Sequence, residues 1–245
     1  MNGGATSYRR HLPHYQPEGE TYHVVFRLAG SIPATVLKEL RFQREEEEKR
    51  IAGMVSGSKK AAFLRDCRWK FFEQVDKLLN RNNRGPFWLN KPAIAELVQA
   101  AIHFYDGRKI DLIADSIMPN HVHMVFQLLD QTSAVAGLRR DGVPSYKASV
   151  RRVSDPTKAG RDRVPSYTVT DIIGSIKKFS ALRANRILGR RGAFWHNESY
   201  DRVIRNAEEL ERTIQYALMN PVRAGLCKDW RYWKWSYVKA EYLSD

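Results

Sequence analysis

Two histidines one residue apart, His121-Val122-His123, are the sharpest chemical feature of the sequence. In a β-strand side chains alternate between faces, so residues two apart point the same way. His121 and His123 then share a face with Val125 and Gln127, while Val122, Met124, Phe126 and Leu128 form an apolar stripe on the other. The stripe can bury against helices and leave both imidazoles facing outward, placed to share one divalent ion, which imidazole suits as a ligand. Exposed strand histidines with no ligand would give the same pattern. Nearer the C-terminus, Arg212, Tyr216 and Asn220 fall at i, i+4 and i+8, away from the apolar stripe Leu210, Ile214, Ala217 and Leu218. A tyrosine phenol can serve as a covalent nucleophile, and the amide of Asn220 one turn on offers an oxygen ligand or a hydrogen bond. A surface aromatic and a helix-ending asparagine before Pro221 are the plain alternative.

The third feature is positive charge. Lys and Arg outnumber Asp and Glu by 41 to 27, for a net +14, and residues 131–205 hold 16 of those cations against 6 acids. Lys177, Lys178, Arg183, Arg186, Arg190 and Arg191 gather on one helix and its end, with Phe194, Trp195 and His196 directly after. Cations interleaved with aromatics suit single-stranded nucleic acid, where phosphates need charge and unstacked bases need flat surfaces. Trp195 is the stacking candidate, and a solvated basic helix is the alternative reading. No apolar run approaches the roughly 20 residues that cross a bilayer, so no membrane role is expected. Two cysteines, Cys67 and Cys227, make neither a disulfide framework nor a CxxC site. A reduced, cytoplasmic protein is the resulting expectation.

These groups need elements to hold them. Residues 1–20 lack periodicity and read as a flexible N-terminal arm. Tyr22 to Leu28 is rich in aromatic and β-branched residues, a strand signal. Residues 36–80 are helical but heavily charged, broken near Gly53 and Gly57, and read as a helical insertion beside the core. Pro92 and Gly107 bracket an amphipathic helix through Ile94, Val98, Ala101, Ile102 and Tyr105. Strands at about 109–117 and 121–129 follow, joined by Met118-Pro119-Asn120. Residues 131–167, rich in Gly, Pro, Ser and Arg, form a basic loop insertion carrying the near-repeat RDGVPSYK and RDRVPSYT. A helix from Thr170-Asp171 to about Leu188, a short strand or loop, and a helix from Asn206 to Met219 come next. Asn206 with Glu209 makes an asparagine version of the capping box. The aromatic tail spans 228–245. One domain over 21–227 results, of α+β class, with an antiparallel sheet covered on one face.

MPNHVHMVF at 118–126, GRRGAFWHNESYDRVIRNAEEL at 189–210 and YALMNPVRAGL at 216–226 resemble REP-associated tyrosine transposases. These belong to the single-tyrosine HUH transposases of insertion-sequence type, and the resemblance runs from about Tyr22 to Tyr237. It implies a ferredoxin-like domain whose sheet carries the HUH pair. It implies His121 and His123 as metal ligands, Tyr216 as the nucleophile, and Asn220 as the residue completing the metal site. The implied cofactor is a divalent ion, Mg or Mn, and the implied partner is single-stranded DNA with hairpin structure. Attack by Tyr216 would give a 5′-phosphotyrosine link and a free 3′-hydroxyl. Tyr200, in NESYD, is the rival nucleophile. Related enzymes include homodimers, and this chain carries no decisive signal of its own on that point. The functional alternatives are a hairpin-binding regulator that does not cut and a metal nuclease that uses water.

Overall fold

The computed structural model describes residues 6–9, 13–16, 19–54, 58–81, 85–129 and 167–243. Within the N-terminal arm, β1 (Thr6–Arg9) and β2 (Pro13–Gln16) form a two-stranded antiparallel sheet that the local sequence does not signal. The centre of the fold is a five-stranded sheet of β3 (Thr21–Leu28), β4 (Ile110–Ile117), β5 (His121–Leu128), β6 (Trp195–Ile204) and β7 (Ser236–Val238). Its order is β6-β3-β5-β4-β7, and every neighbouring pair is antiparallel. The Met118-Pro119-Asn120 turn that launches β5 is tied down from three sides. Met118 N–H donates to the His121 carbonyl at 2.8 Å, Leu28 N–H to the Asn120 carbonyl at 2.8 Å, and Leu89 N–H to the Pro119 carbonyl at 3.2 Å.

One face of the sheet carries the apolar stripe read from the sequence: Tyr22, Val24, Phe26 and Leu28 beside Val122, Met124, Phe126 and Leu128. Against it pack α3 (Pro92–His103) and α4 (Val169–Ile187). Each such side chain, fully buried, contributes roughly 1.5–3 kcal/mol. A capping box between Thr168 and Asp171 starts α4, and Gly189, with φ of 60°, occupies the left-handed position after its end.

The expectation of a sheet covered on one face is corrected here, because the second face is covered as well. Ile113, Ala114, Val125 and Ile204 give that face an apolar patch, and α5 (Ala207–Leu218) seals it with Ile214, Ala217 and Leu218. Asn206 caps α5 by accepting from Glu209 N–H at 2.8 Å, but Glu209 turns its carboxylate to Arg205 N–H and leaves the box open. The two long helices α1 (Ala34–Met54) and α2 (Ser58–Arg81) pack on each other over the same face, anchored by Ile32, Leu37, Val75 and Leu79. A four-residue helix, α6 (Asn220–Arg223), follows α5. The aromatic tail supplies β7, and Trp235 is buried in the main core while the Trp233 indole donates to the Ile117 carbonyl at 3.1 Å. The basic loop at 131–167 lies outside the described residues except for Tyr167. No helix among the described residues is long and apolar enough to cross a membrane.

Candidate metal and tyrosine site

Strand alternation puts His121 and His123 on one face, as their spacing requires. The register of β3 brings Arg27 opposite His121, Val25 opposite His123, and His23 opposite Val125. Tyr200 of β6 stands opposite Val25. This row faces α2 and α5, not solvent. Both histidines are fully buried, which corrects the expectation that they face outward.

What buries them is α2, and it brings a carboxylate. Asp76 Oδ1 lies 3.2 Å from His123 Nε2 and 3.5 Å from His121 Nε2. The two Nε2 atoms are 3.0 Å apart. The hydrogens around this point can be placed from the network. Asn120 Nδ2 donates to the Leu79 carbonyl at 3.0 Å, which aims Asn120 Oδ1 at His121 Nδ1, 2.6 Å away. His121 therefore carries its hydrogen on Nδ1, and burial keeps the ring neutral by lowering its pKa. Its Nε2 lone pair points inward. His123 Nδ1 meets His23 Nε2 at 3.2 Å, so a hydrogen on His123 Nδ1 leaves the second Nε2 bare as well. Asp76 Oδ1 has no hydrogen-bond partner among the described residues. In that tautomer lone pairs from two imidazoles and one carboxylate converge on one point, and all three ligand atoms lie within 4.8 Å of one another. A divalent cation fits that donor set, and imidazoles held by partners on their other nitrogen are the usual way such ligands are oriented.

The other oxygen of the same carboxylate receives the tyrosine. Tyr216 on α5 donates its hydroxyl hydrogen to Asp76 Oδ2 at 2.5 Å. Burial first, then the charge and hydrogen bond of Asp76, raise the phenol well above its ordinary value, with Arg223 opposing. The Arg223 guanidinium lies 4.1 Å from the centre of the Tyr216 ring and also donates to the Tyr216 carbonyl. Trp69 and Phe72 close the ring in from α2, at 5.7 and 5.8 Å between centroids. Asn220 is buried one turn on, and its Nδ2 donates to the Tyr216 carbonyl at 3.0 Å. Its Oδ1 accepts from Asn80 Nδ2 at 2.8 Å, and that same Nδ2 is 3.3 Å from Asp76 Oδ2. Asn220 is therefore joined to the cluster through Asn80, with its amide oxygen engaged there. Tyr200 lies in the same row with its ring stacked on Phe72 at 4.2 Å, and burial raises its phenol too.

Asp76, His23 and Asn80 are absent from the site as the sequence reads it, and Asn120 enters there only as part of the turn before β5. Asp76 left one trace: Phe72, Asp76 and Asn80 follow one another at i, i+4 and i+8, so a carboxylate interrupts the helix face that Phe72 and Leu79 bury.

The basic set read for DNA divides. Trp195 is a correction: its ring packs edge-on against Phe26 at 4.9 Å, its indole N–H donates to Ser180 at 2.9 Å, and it is buried, so it presents no face to a base. Its place as the first residue of β6, turned toward α4, is the physical reason. Lys177 is tied to the Asn197 carbonyl at 2.9 Å, and Arg190 lies over Trp88 while bonding Asn185 and the Ala193 carbonyl. Lys178, Arg183, Arg186 and Arg191 are exposed. They belong to the α4 layer, on the opposite face of the sheet from Tyr216.

No protein-family model and no curated protein matches the chain. Among solved structures it is similar to one of a REP-associated tyrosine transposase bound to a REP hairpin, at 15% identity and a TM-score of 0.45, covering 94% of this chain and 81% of that one. At that level the similarity transfers no residue role.

Proposed function

We propose that this protein nicks and rejoins single-stranded DNA of hairpin structure through a covalent 5′-phosphotyrosine intermediate, with Tyr216 as the nucleophile. The observation that carries the reading is that Tyr216 and the two β5 imidazoles meet on the two oxygens of one buried carboxylate, Asp76. His121, His123 and Asp76 would hold a divalent ion, Mg or Mn, with Asn220 joined to them through Asn80 and positioned as a further ligand only if that bond opens. Such an ion would polarise the scissile phosphate and stabilise the charge that develops on it.

The protein's own groups do the rest. A phenol of ordinary pKa about 10 is a poor nucleophile at neutral pH, and here it is protonated. Its hydrogen already points at Asp76 Oδ2, so the proton has an acceptor as the oxygen approaches phosphorus. The Tyr216 Oη–P bond forms, the P–O3′ bond breaks, and the departing 3′ oxygen takes up a proton. A 3′-hydroxyl of another strand reverses the step, which makes strand transfer possible with no external energy source. Arg223 over the Tyr216 ring fixes its direction. The net charge of +14 suits a polyanionic partner. The order β6-β3-β5-β4, with α3 and α4 as crossover helices, supports a ferredoxin-like reading of the domain.

Incubation with a pool of single-stranded hairpin DNA and Mg or Mn, followed by denaturing electrophoresis, tests the reading. A protein–DNA adduct that disappears with EDTA and in Tyr216→Phe is the expected result. Adduct retained in Tyr216→Phe overturns the assignment. Free cleaved strands without adduct point to hydrolysis, and bound but intact DNA points to a binding protein that does not cut.

A further inference from the structure

We infer that the arginine-lined groove between α2, β6 and α5 seats the single-stranded DNA next to the scissile phosphate, separately from the α4 surface. The inference rests on Tyr216 as the nucleophile. The groove has a volume of about 660 Å³, and Tyr216 forms part of its wall. Tyr216 also borders a second depression of about 500 Å³ toward α6, with Arg223 on its far side and Arg212 shared between the two. The tyrosine therefore stands between two hollows joined along one helix edge, where a strand could lie across it in an extended form.

Charge and flatness argue for the occupant. Five arginines line the groove against three acids. One of those acids, Glu209, is already neutralised by Arg202 at 2.7 Å, and the Arg202 guanidinium lies 4.3 Å from the centre of the Trp69 ring. This builds a fixed floor of cation and indole. Above it Arg65 and Arg205 are exposed and form no ion pair among the described residues. Among the described residues Arg212 has one ion pair, an exposed contact with Glu208 at 3.5 Å, of the kind that contributes little. Spaced cations beside an aromatic surface are what a single strand needs. The volume falls within the roughly 300–1,000 Å³ of small-ligand pockets, enough for a short length of single strand and not for a duplex. Across the sheet, Lys177 and Lys178 line a hollow of about 430 Å³ together with two acids, Glu198 and Asp201, while Arg183, Arg186 and Arg191 lie outside it on the exposed surface and suit the broader face of a hairpin stem.

The test uses the full chain with Tyr216→Phe, so that binding is read without chemistry, and a fluorescent thymidine decamer with no hairpin. Adding Arg65→Ala, Arg205→Ala and Arg212→Ala together is expected to weaken binding roughly 30-fold at low salt and to flatten the log–log salt slope by about 2. Replacing Lys178, Arg183 and Arg186 by Ala should leave decamer binding within about twofold and weaken hairpin binding instead. Unchanged decamer affinity and slope in the groove variant, with an unchanged circular dichroism spectrum, overturns the inference. So does a larger decamer loss in the α4 variant. If the groove variant loses binding while wild-type protein forms no adduct with any hairpin, the tyrosine reading falls and the groove stands. If wild-type protein forms the adduct and the groove variant binds normally, the groove alone falls.

Discussion

Two aspartate–histidine sets flank the same sheet, one on each face, and they differ in how many protons they hold per lone pair. On the α3 face, Asp115 of β4 accepts from His103 Nε2 at 2.8 Å. One proton sits between one imidazole and one carboxylate oxygen, and the pair is a local clasp between helix and strand. On the α2 face, Asp76 meets two imidazoles whose outer nitrogens are engaged by Asn120 and His23, leaving three inward atoms within 4.8 Å and no proton assigned between them. Residue types are the same. The difference lies in the outer hydrogen-bond partners, which engage the far nitrogens of one set, whereas the far nitrogen of His103 has none among the described residues; this is what fits one set to hold a cation and the other to serve as a structural contact.

The largest effect separates the sets by chemistry. Asp76→Asn removes both the carboxylate ligand and the proton acceptor of Tyr216, and adduct formation should fall by at least about 10³-fold. Asp115→Asn should leave it within about threefold in a folded protein. Equal losses in the two variants, measured as initial rates of adduct formation, would break the comparison.

A smaller effect tests whether the outer partners matter. Removing an imidazole's outer hydrogen-bond partner typically costs about 10–100-fold in metal affinity. Asn120→Ala and His23→Leu should therefore weaken Mn binding by that range in calorimetry. The wild-type protein should also gain thermal stability from Mn. Saturation at 100 times Kd adds about 2.7 kcal/mol, or roughly 5–10 °C at this chain length. His121→Ala should show no gain, and His103→Ala should show the full one. A metal-induced shift that survives His121→Ala would place the ion elsewhere.

The part of this site that the sequence discloses is the local part. Spacing of two puts His121 and His123 on one face, and spacing of four puts Asn220 beside Tyr216, because strand and helix periods are properties of neighbouring residues. Asp76 and His23 come from 45 and 98 residues before His121 (counted along the chain), and which acid of a charge-rich helix lands on the sheet is decided by docking. The reading of 36–80 as an insertion beside the core hid the helix that closes the site. Likewise β6, with Glu198, Asp201 and Arg202 among its ten residues, shows no clean alternation. It is a strand because it pairs with β3, and that pairing carries Trp195 into the core, where its ring offers no open face for stacking.

The smallest effect follows from the sign of titration. The hydrogen bond to Asp115 raises His103, with burial opposing, and Asp106 adds to the rise while the Tyr237 ring lies edge-on at 4.8 Å. Burial raises Asp115 as well, although His103 pulls it down. With both values raised, the folded state holds more protons than the unfolded chain, so stability falls as pH rises. For His103 the contribution is fully present below the unfolded value of about 6.5 and is lost as pH climbs through the raised folded value. The imidazoles of His23 and His121, lowered first by burial, act in the opposite sense and favour the higher pH. The quantity to read is therefore the difference in Tm between wild type and His103→Asn, measured from pH 5.5 to about 8.5 with EDTA present. A third of the His103 side chain is exposed, so screening limits the effect to about 2 °C, larger at the acid end. A difference that is flat with pH, or larger at the alkaline end, would mean that His103 does not hold its extra proton against Asp115, and the contrast between the two sets would lose its simpler half.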